Sequence, residues 1–92
     1  MEITQTDSRT EGDFTATDNG VEVGKLTYAW IGIDRLLLKH TGVDPKFRMQ
    51  GIGLALVSAA VDFARIKKIK ILPSCSFARQ EFKKRPEWKD VL

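Results

Sequence analysis

At 92 residues, 42% hydrophobic and 29% charged, the chain has the make-up of one globular domain whose core needs a sheet and one or two helices. Its apolar stretches fall far short of the roughly 18 residues that span a bilayer. The polar start Met1-Glu2-Ile3-Thr4-Gln5-Thr6-Asp7 lacks a signal peptide's basic and apolar regions, and the single cysteine, Cys75, excludes an internal disulfide, so the cytoplasm is the expected compartment.

Residues 1–12 show little periodicity and read as a polar lead-in to a single domain over 13–92. Phe14 to Thr17 alternates weakly and runs into Asp18-Asn19-Gly20, and Asn-Gly between extended runs is a strong hairpin signal. Val21 to Trp30 alternates apolar and polar positions as a half-buried strand does. After a break at Gly32 to Arg35, Leu36 to Val43 reads as a third strand, and its continuous Leu36-Leu37-Leu38 start suggests cover on both faces. From Gly51 the period changes. Ser58, Asp62 and Arg65 form a narrow wet stripe on a helix otherwise lined by Ile52, Leu56, Ala59, Ala60 and Phe63. Ile69 to Pro73 is a short fourth strand, and the serines of Ser74-Cys75-Ser76 offer an N-cap to a helix over Phe77 to Arg85, limited by Pro86. The fold class is therefore α/β with an α+β character: an antiparallel meander, a parallel strand-helix-strand unit with a right-handed crossover, and a short final helix.

The sequence Arg48-Met49-Gln50-Gly51-Ile52-Gly53 falls where a strand gives way to the long helix. Two glycines leave little side-chain bulk there, so main-chain amides can approach a phosphate, and the helix dipole favours the anion. A P-loop would need lysine and a hydroxyl after Gly53, where Leu54 and Ala55 stand. A dinucleotide fingerprint would need glycine at Leu56 and an acid near Ile71. What remains is a metal-free phosphate turn, or a tight strand-to-helix turn with no ligand. Charge is distributed to match an anion towards the C-terminal half. Residues 1–34 carry seven acids and two bases, and residues 65–92 carry nine bases and three acids, within a net charge of +3. Lys46 and Arg48 flank the turn, whereas the later lysines also read as a solvated helix face. One histidine and one cysteine are too few to suggest a metal site.

The run from His40 to Val57 resembles motif A of the GNAT superfamily of N-acetyltransferases. Ile71-Leu72-Pro73-Ser74-Cys75-Ser76-Phe77 and Lys84-Arg85-Pro86-Glu87-Trp88 are similar to the later segments of its minimal branch of about 90 residues. The likeness extends over Phe14 to Trp88. It implies acetyl-CoA as cofactor, its pyrophosphate on the amides from Arg48 through Met49, Gln50, Gly51 and Ile52 to Gly53. The pantetheine arm would lie in a cleft where the third strand splays from the fourth, bonded by main-chain groups of Thr41 and Val43, which the sheet leaves unpaired. Cys75 and Phe77 would flank the thioester end. Cys75 is either an acyl-accepting nucleophile, with His40 as its base, or a small thiol that fills space.

The resemblance also implies direct transfer to an amine, and here the chain departs from the family pattern. No tyrosine follows the last parallel strand to protonate the leaving thiolate; Glu81 stands in its place, a base if desolvated and otherwise a surface glutamate. Tyr28 lies in an early strand. The walls that enclose the acceptor in longer relatives are not expected either, so an open cleft should admit a protein amine or a small amine, shaped by Trp30, Phe47 and Trp88 if these are not core residues. Two other functions fit the same sequence: a non-catalytic CoA or acyl-CoA binding module, and a nucleic-acid-binding domain built on the basic C-terminal half. A monomer is compatible with all three.

Overall fold

Asn19 and Gly20 both have positive φ, 51° and 80°, as a two-residue hairpin loop closed by Asp18 and Val21 requires. The computed structural model describes residues 1–92. This hairpin joins β2 (Glu11–Asp18) to β3 (Val21–Ile31), which continues through the Gly32 turn into β4 (Arg35–Val43). With β1 (Glu2–Asp7) and β5 (Lys70–Pro73) these strands form one sheet in the order β1-β2-β3-β4-β5. All neighbours are antiparallel except β4 and β5, a parallel pair connected through α1 (Ile52–Lys67). A short helix, α2 (Ser76–Lys84), and a 3-10 turn over Pro86–Val91 complete the chain. No helix is long and apolar enough to cross a membrane.

One face of the sheet carries the core. Leu26, Tyr28, Leu36 and Leu38 project onto α1, which buries Ile52, Leu56, Val57, Ala60, Val61 and Ala64, one side of a helix at 3.6 residues per turn. Small side chains at 60 and 64 let the helix lie close to the strands. Asp62 and Arg65 face water as the stripe predicts, and Ile66 and Lys67 join them. The expectation that Leu36 to Leu38 is covered on both faces fails at Leu37. It points to the uncovered side, half-buried between Ala29 on β3 and Leu72 on β5. An unbroken apolar run arises here from apolar cross-strand neighbours rather than from a second helical layer.

Residues 2–7, expected within a lead-in, instead form an edge strand with six paired positions on β2. What holds it is polar. The fully buried Tyr28 sends its hydroxyl to the sheet rim, where it accepts from Gln5 Nε2 (2.9 Å) and donates to Asp7 Oδ2 (2.5 Å). Trp30 Nε1 donates to the same oxygen at 2.9 Å. Burial pushes the Tyr28 phenol well above its ordinary range, and the Asp7 carboxylate adds to the shift. For Asp7, burial acts upward, but the bonds from Tyr28, the Arg9 amide and Trp30 outweigh it and leave the carboxyl below its ordinary value.

Candidate functional site

The parallel pair is short. β4 and β5 stay in register only from Arg35 and Lys70 to Leu38 and Pro73, and the last tie is the Leu38 carbonyl, which accepts from the amides of Ser74 and Cys75, both at 3.1 Å. From Lys39 to Val43, β4 runs on with β3 alone. Asp44 N donates to Val23 O at 2.8 Å, so by antiparallel alternation Gly42 and His40 also turn their main-chain groups to β3. The main-chain groups of Thr41 and Val43 then face the gap that β5 has left. This gap is a groove of about 700 Å³, walled on one side by β4 and on the other by the start of α1 and by Phe77 and Glu81 of α2.

The groove ends on the glycine turn. Asp44 Oδ1 accepts from Lys46 N (2.9 Å) and opens a 3-10 turn over Pro45–Phe47, which leads into Met49 and Gly51, both left-handed at φ 68° and 76°. Gly51 is the N-cap of α1 and brings no capping side chain, and no acid stands in the first turn. The first internal helix bond is Ala55 N to Gly51 O, 3.0 Å, so the amides of Ile52, Gly53 and Leu54 have no acceptor within the helix. Such a terminus favours an anion by its aligned dipoles. Arg48 in the groove wall and Lys46, two residues before it and outside the wall, take part in no salt bridge.

A side chain at Gly53 meets a packing conflict rather than a backbone one. A Cβ there would lie 2.6 Å from Cζ of Phe77, whose ring forms the α2 side of the groove. Gly53→Ala should therefore displace that ring. The helix gains about 1 kcal/mol from alanine against a packing cost of about 1–3 kcal/mol. Because the Phe77 ring is 40% exposed and free to swing, the net change in a urea titration is expected within about 1 kcal/mol of zero. Phe77→Leu in the same chain should recover whatever is lost, and a larger loss unrelieved by that change would contradict the contact.

Of the residues singled out in the sequence, His40, Thr41, Val43, Arg48, Met49, Gly51, Ile52, Gly53, Phe77 and Glu81 border the groove; Gln50 and Cys75 are not in its walls. Phe47 is in the wall, but Trp30 packs on Phe63 and Trp88 on Phe82, both away from it. Gly42 lies within the strand end His40 to Val43 expected along the cleft, whereas Leu54 was not foreseen as a groove residue. Leu54 stands three residues past Gly51, which a search along the first helical turn would have found.

Cys75, not a serine, caps α2: its sulfur accepts from Ala78 N at 3.4 Å and lies 3.4 Å from Thr41 Oγ1. The thiol thus ties the end of β5 to the splayed part of β4. His40 does not join it. Thr41 pairs with the core residue Leu26, whereas His40 pairs with Thr27, so the two side chains leave opposite faces of the sheet, and a Cys75–His40 dyad is not formed. Glu81 is buried, with only 9% of its side chain accessible, and both carboxylate oxygens meet cations, Lys84 at 3.3 Å and Arg85 at 3.8 Å. Arg85 in turn lies over the Trp88 ring, 5.4 Å from its centre. The basic C-terminal half is partly spent in this way, since Arg65 also grips Asp90 through two bonds of 2.9 Å.

A sheet whose one parallel pair splays beside an uncapped helix start is the architecture of a GNAT fold. The chain belongs to the GCN5-related N-acetyl-transferase family, whose profile matches residues 13–91. A GCN5-like protein of Staphylococcus aureus is 31% identical, with a TM-score of 0.74 over 98% of this chain and 85% of that one. An aminoglycoside N-acetyltransferase solved with CoA shares the fold at 16% identity, TM-score 0.66, over 90% and 88% of the two chains. The ribosomal-protein-S18-alanine N-acetyltransferase of Escherichia coli does so at 19% identity and TM-score 0.70, over 87% of this chain and 54% of the enzyme. No curated protein matches the sequence. Family and fold together support acetyl transfer in general terms.

Proposed function

We propose that this chain is an acetyl-CoA-dependent N-acetyltransferase that passes the acetyl group directly to an amine. The observation that carries this reading is the splayed groove, which combines orphaned amides at Ile52, Gly53 and Leu54 with main-chain groups of Thr41 and Val43 turned into the gap. The first set suits a pyrophosphate and the second the two amides of a pantetheine arm. Lys46 and Arg48 add charge at the phosphate end. Cys75 is engaged in capping α2 and touching Thr41, which supports a supporting role near the thioester over an acyl-enzyme.

A second reading, a CoA-binding module without turnover, is favoured by the only tyrosine. Tyr28 is buried against Asp7 and cannot protonate a leaving thiolate in the groove. One experiment separates the two. Calorimetric titration with CoA and acetyl-CoA should give micromolar binding, and incubation with acetyl-CoA and a panel of amines should release free thiol at a rate that rises with amine concentration. Binding with no amine-dependent thiol would support the module, and the absence of binding to either compound would remove both readings. An acetyl adduct on the intact protein, lost in Cys75→Ala, would replace direct transfer by an acyl-cysteine route.

A further inference from the structure

The end of the molecule opposite the groove gathers three chain segments that the sequence keeps apart. The hairpin of Ser8, Arg9 and Thr10 is tied to β3 by Trp30 N, which donates to Thr10 O at 2.9 Å, and the turn of Gly32, Ile33 and Asp34 is tied to β5 by Lys70 N, which donates to Asp34 O at 2.9 Å. Arg35 and Lys70 open β4 and β5 as register partners, and α1 runs out at Lys67, three residues before Lys70. Lys67 is close enough to Asp7 for its charge to help hold that carboxyl ionised, which joins the helix end to the hairpin.

Two apolar side chains project here, Ile33 at 92% and Ile66 at 78% exposure. Around them Arg9, Arg35, Lys67 and Lys68 are exposed and take part in no salt bridge, and Lys70 Nζ donates to the Asp90 carbonyl at 2.6 Å, which leaves its charge uncancelled. Most nearby acids are occupied: Asp7 by the Tyr28 hydroxyl and the Trp30 indole, Asp90 by Arg65, Glu11 by Lys39. Asp34 remains, set against five bases. One exposed isoleucine is ordinary, but two at one end among unopposed bases suit a lipid surface, whose anionic headgroups take the charges and whose acyl boundary takes the tips. Nucleic acid is gripped by stacking on aromatic rings, and the nearest ring, Trp30, is packed on Phe63 and bonded to Asp7.

We infer that this end docks the protein on an anionic bilayer surface, with Ile33 and Ile66 among the headgroups and the five bases against lipid anions. The contact is peripheral, since no helix is long and apolar enough to cross. The groove opens at the other end of α1, whose 16 residues span about 24 Å, so the docked chain presents it to the aqueous phase.

The whole chain is to be sedimented with vesicles of phosphatidylcholine alone and of phosphatidylcholine with about one-third phosphatidylserine. Binding is expected to the second only and should weaken as salt is raised. Arg35→Glu with Lys68→Glu should lower the partition coefficient at least about twentyfold, and Ile33→Ser with Ile66→Ser about tenfold. Both pairs lie on the surface, and an unchanged urea midpoint checks that each variant stays folded. Equal binding to the two kinds of vesicle, binding to neither, or binding that either pair of changes leaves unaltered would overturn the inference. Tighter binding to an oligonucleotide than to the anionic vesicles, weakened by the charge pair and indifferent to the isoleucine pair, would overturn it too and make this end a nucleic-acid surface.

Discussion

Glutamate at position 51 is expected to weaken CoA binding at least hundredfold while the chain stays folded. The backbone there is left-handed at φ 76°, so any side chain carries a strain of about 1–2 kcal/mol, a tolerable share of the about 5–15 kcal/mol that stabilises a domain. Nothing lies within 4 Å of where its Cβ would be, so no packing is lost. A carboxylate beside the unpaired amides of Ile52 and Gly53 would instead occupy the anion's place and repel it, and about 3 kcal/mol is enough for the stated factor. Gly51→Gln separates shape from charge. It should lose less, and raising salt should narrow the difference between the two variants. Equal affinity of Gly51→Glu and the unaltered chain in calorimetry would mean that the pyrophosphate does not lie on this turn.

The other large effect is structural. Asp7→Ala removes the acceptor shared by the Tyr28 hydroxyl and the Trp30 indole. The Tyr28 hydroxyl keeps the Thr6 carbonyl, 3.3 Å away, as an acceptor, and loss of its shorter bond to a charged oxygen costs about 1.5–3 kcal/mol. Because Trp30 is only half-buried and can turn to water, a loss of about 2–3 kcal/mol is expected in urea unfolding. Asp7→Asn, which keeps one acceptor oxygen, should lose less. The pH dependence follows from the signs of the two shifts. Asp7 is held below its ordinary 3.8, so its contribution is complete above that pH and disappears as acid protonates the folded carboxylate. Tyr28 is shifted upward, so its contribution is complete below the ordinary 10.0 and declines as the pH climbs beyond it. With one tyrosine in the chain, the phenolate absorption band reads this site alone. It should stay absent past pH 10.0 in the native protein and appear earlier in Asp7→Ala. Identical titrations in the two proteins would show that the pair does not hold β1.

What could be read from the sequence was whatever leaves a mark in residue type. The Asn19-Gly20 loop and Gly51 declare a left-handed backbone, and the change from alternation to a helical period locates α1. β1 left no such mark. Only Ile3 of its residues packs on the core, and the strand is fastened through Gln5 and Asp7, which a search for apolar periodicity counts as solvent-facing. The cap of α2 was misassigned for a related reason. Serine is the commoner cap, but the amides of Ser74 and Cys75 both bond Leu38, which leaves the Cys75 sulfur over the first turn. The groove itself was legible as a turn between strand and helix, whereas the faces to which His40 and Thr41 point were not. Those depend on register, which a single strand does not display.

That register turns on one residue. Tyr28 pairs with Leu38 and Thr27 with His40, so Lys39 is an extra residue in β4, a bulge. Up to Leu38, even-numbered side chains enter the core; beyond Lys39, odd-numbered ones do. The bulge is therefore a phase inverter written into the strand. Straightening it with Lys39 retained would leave the amino-acid order of the site untouched and yet turn its chemistry inside out, with the imidazole driven into the apolar interior and Thr41 pulled away from the cysteine. Loss of Lys39 itself would restore regular pairing with both faces as they are, so a related chain that aligns with a one-residue gap at this place keeps each side chain on the side it takes here.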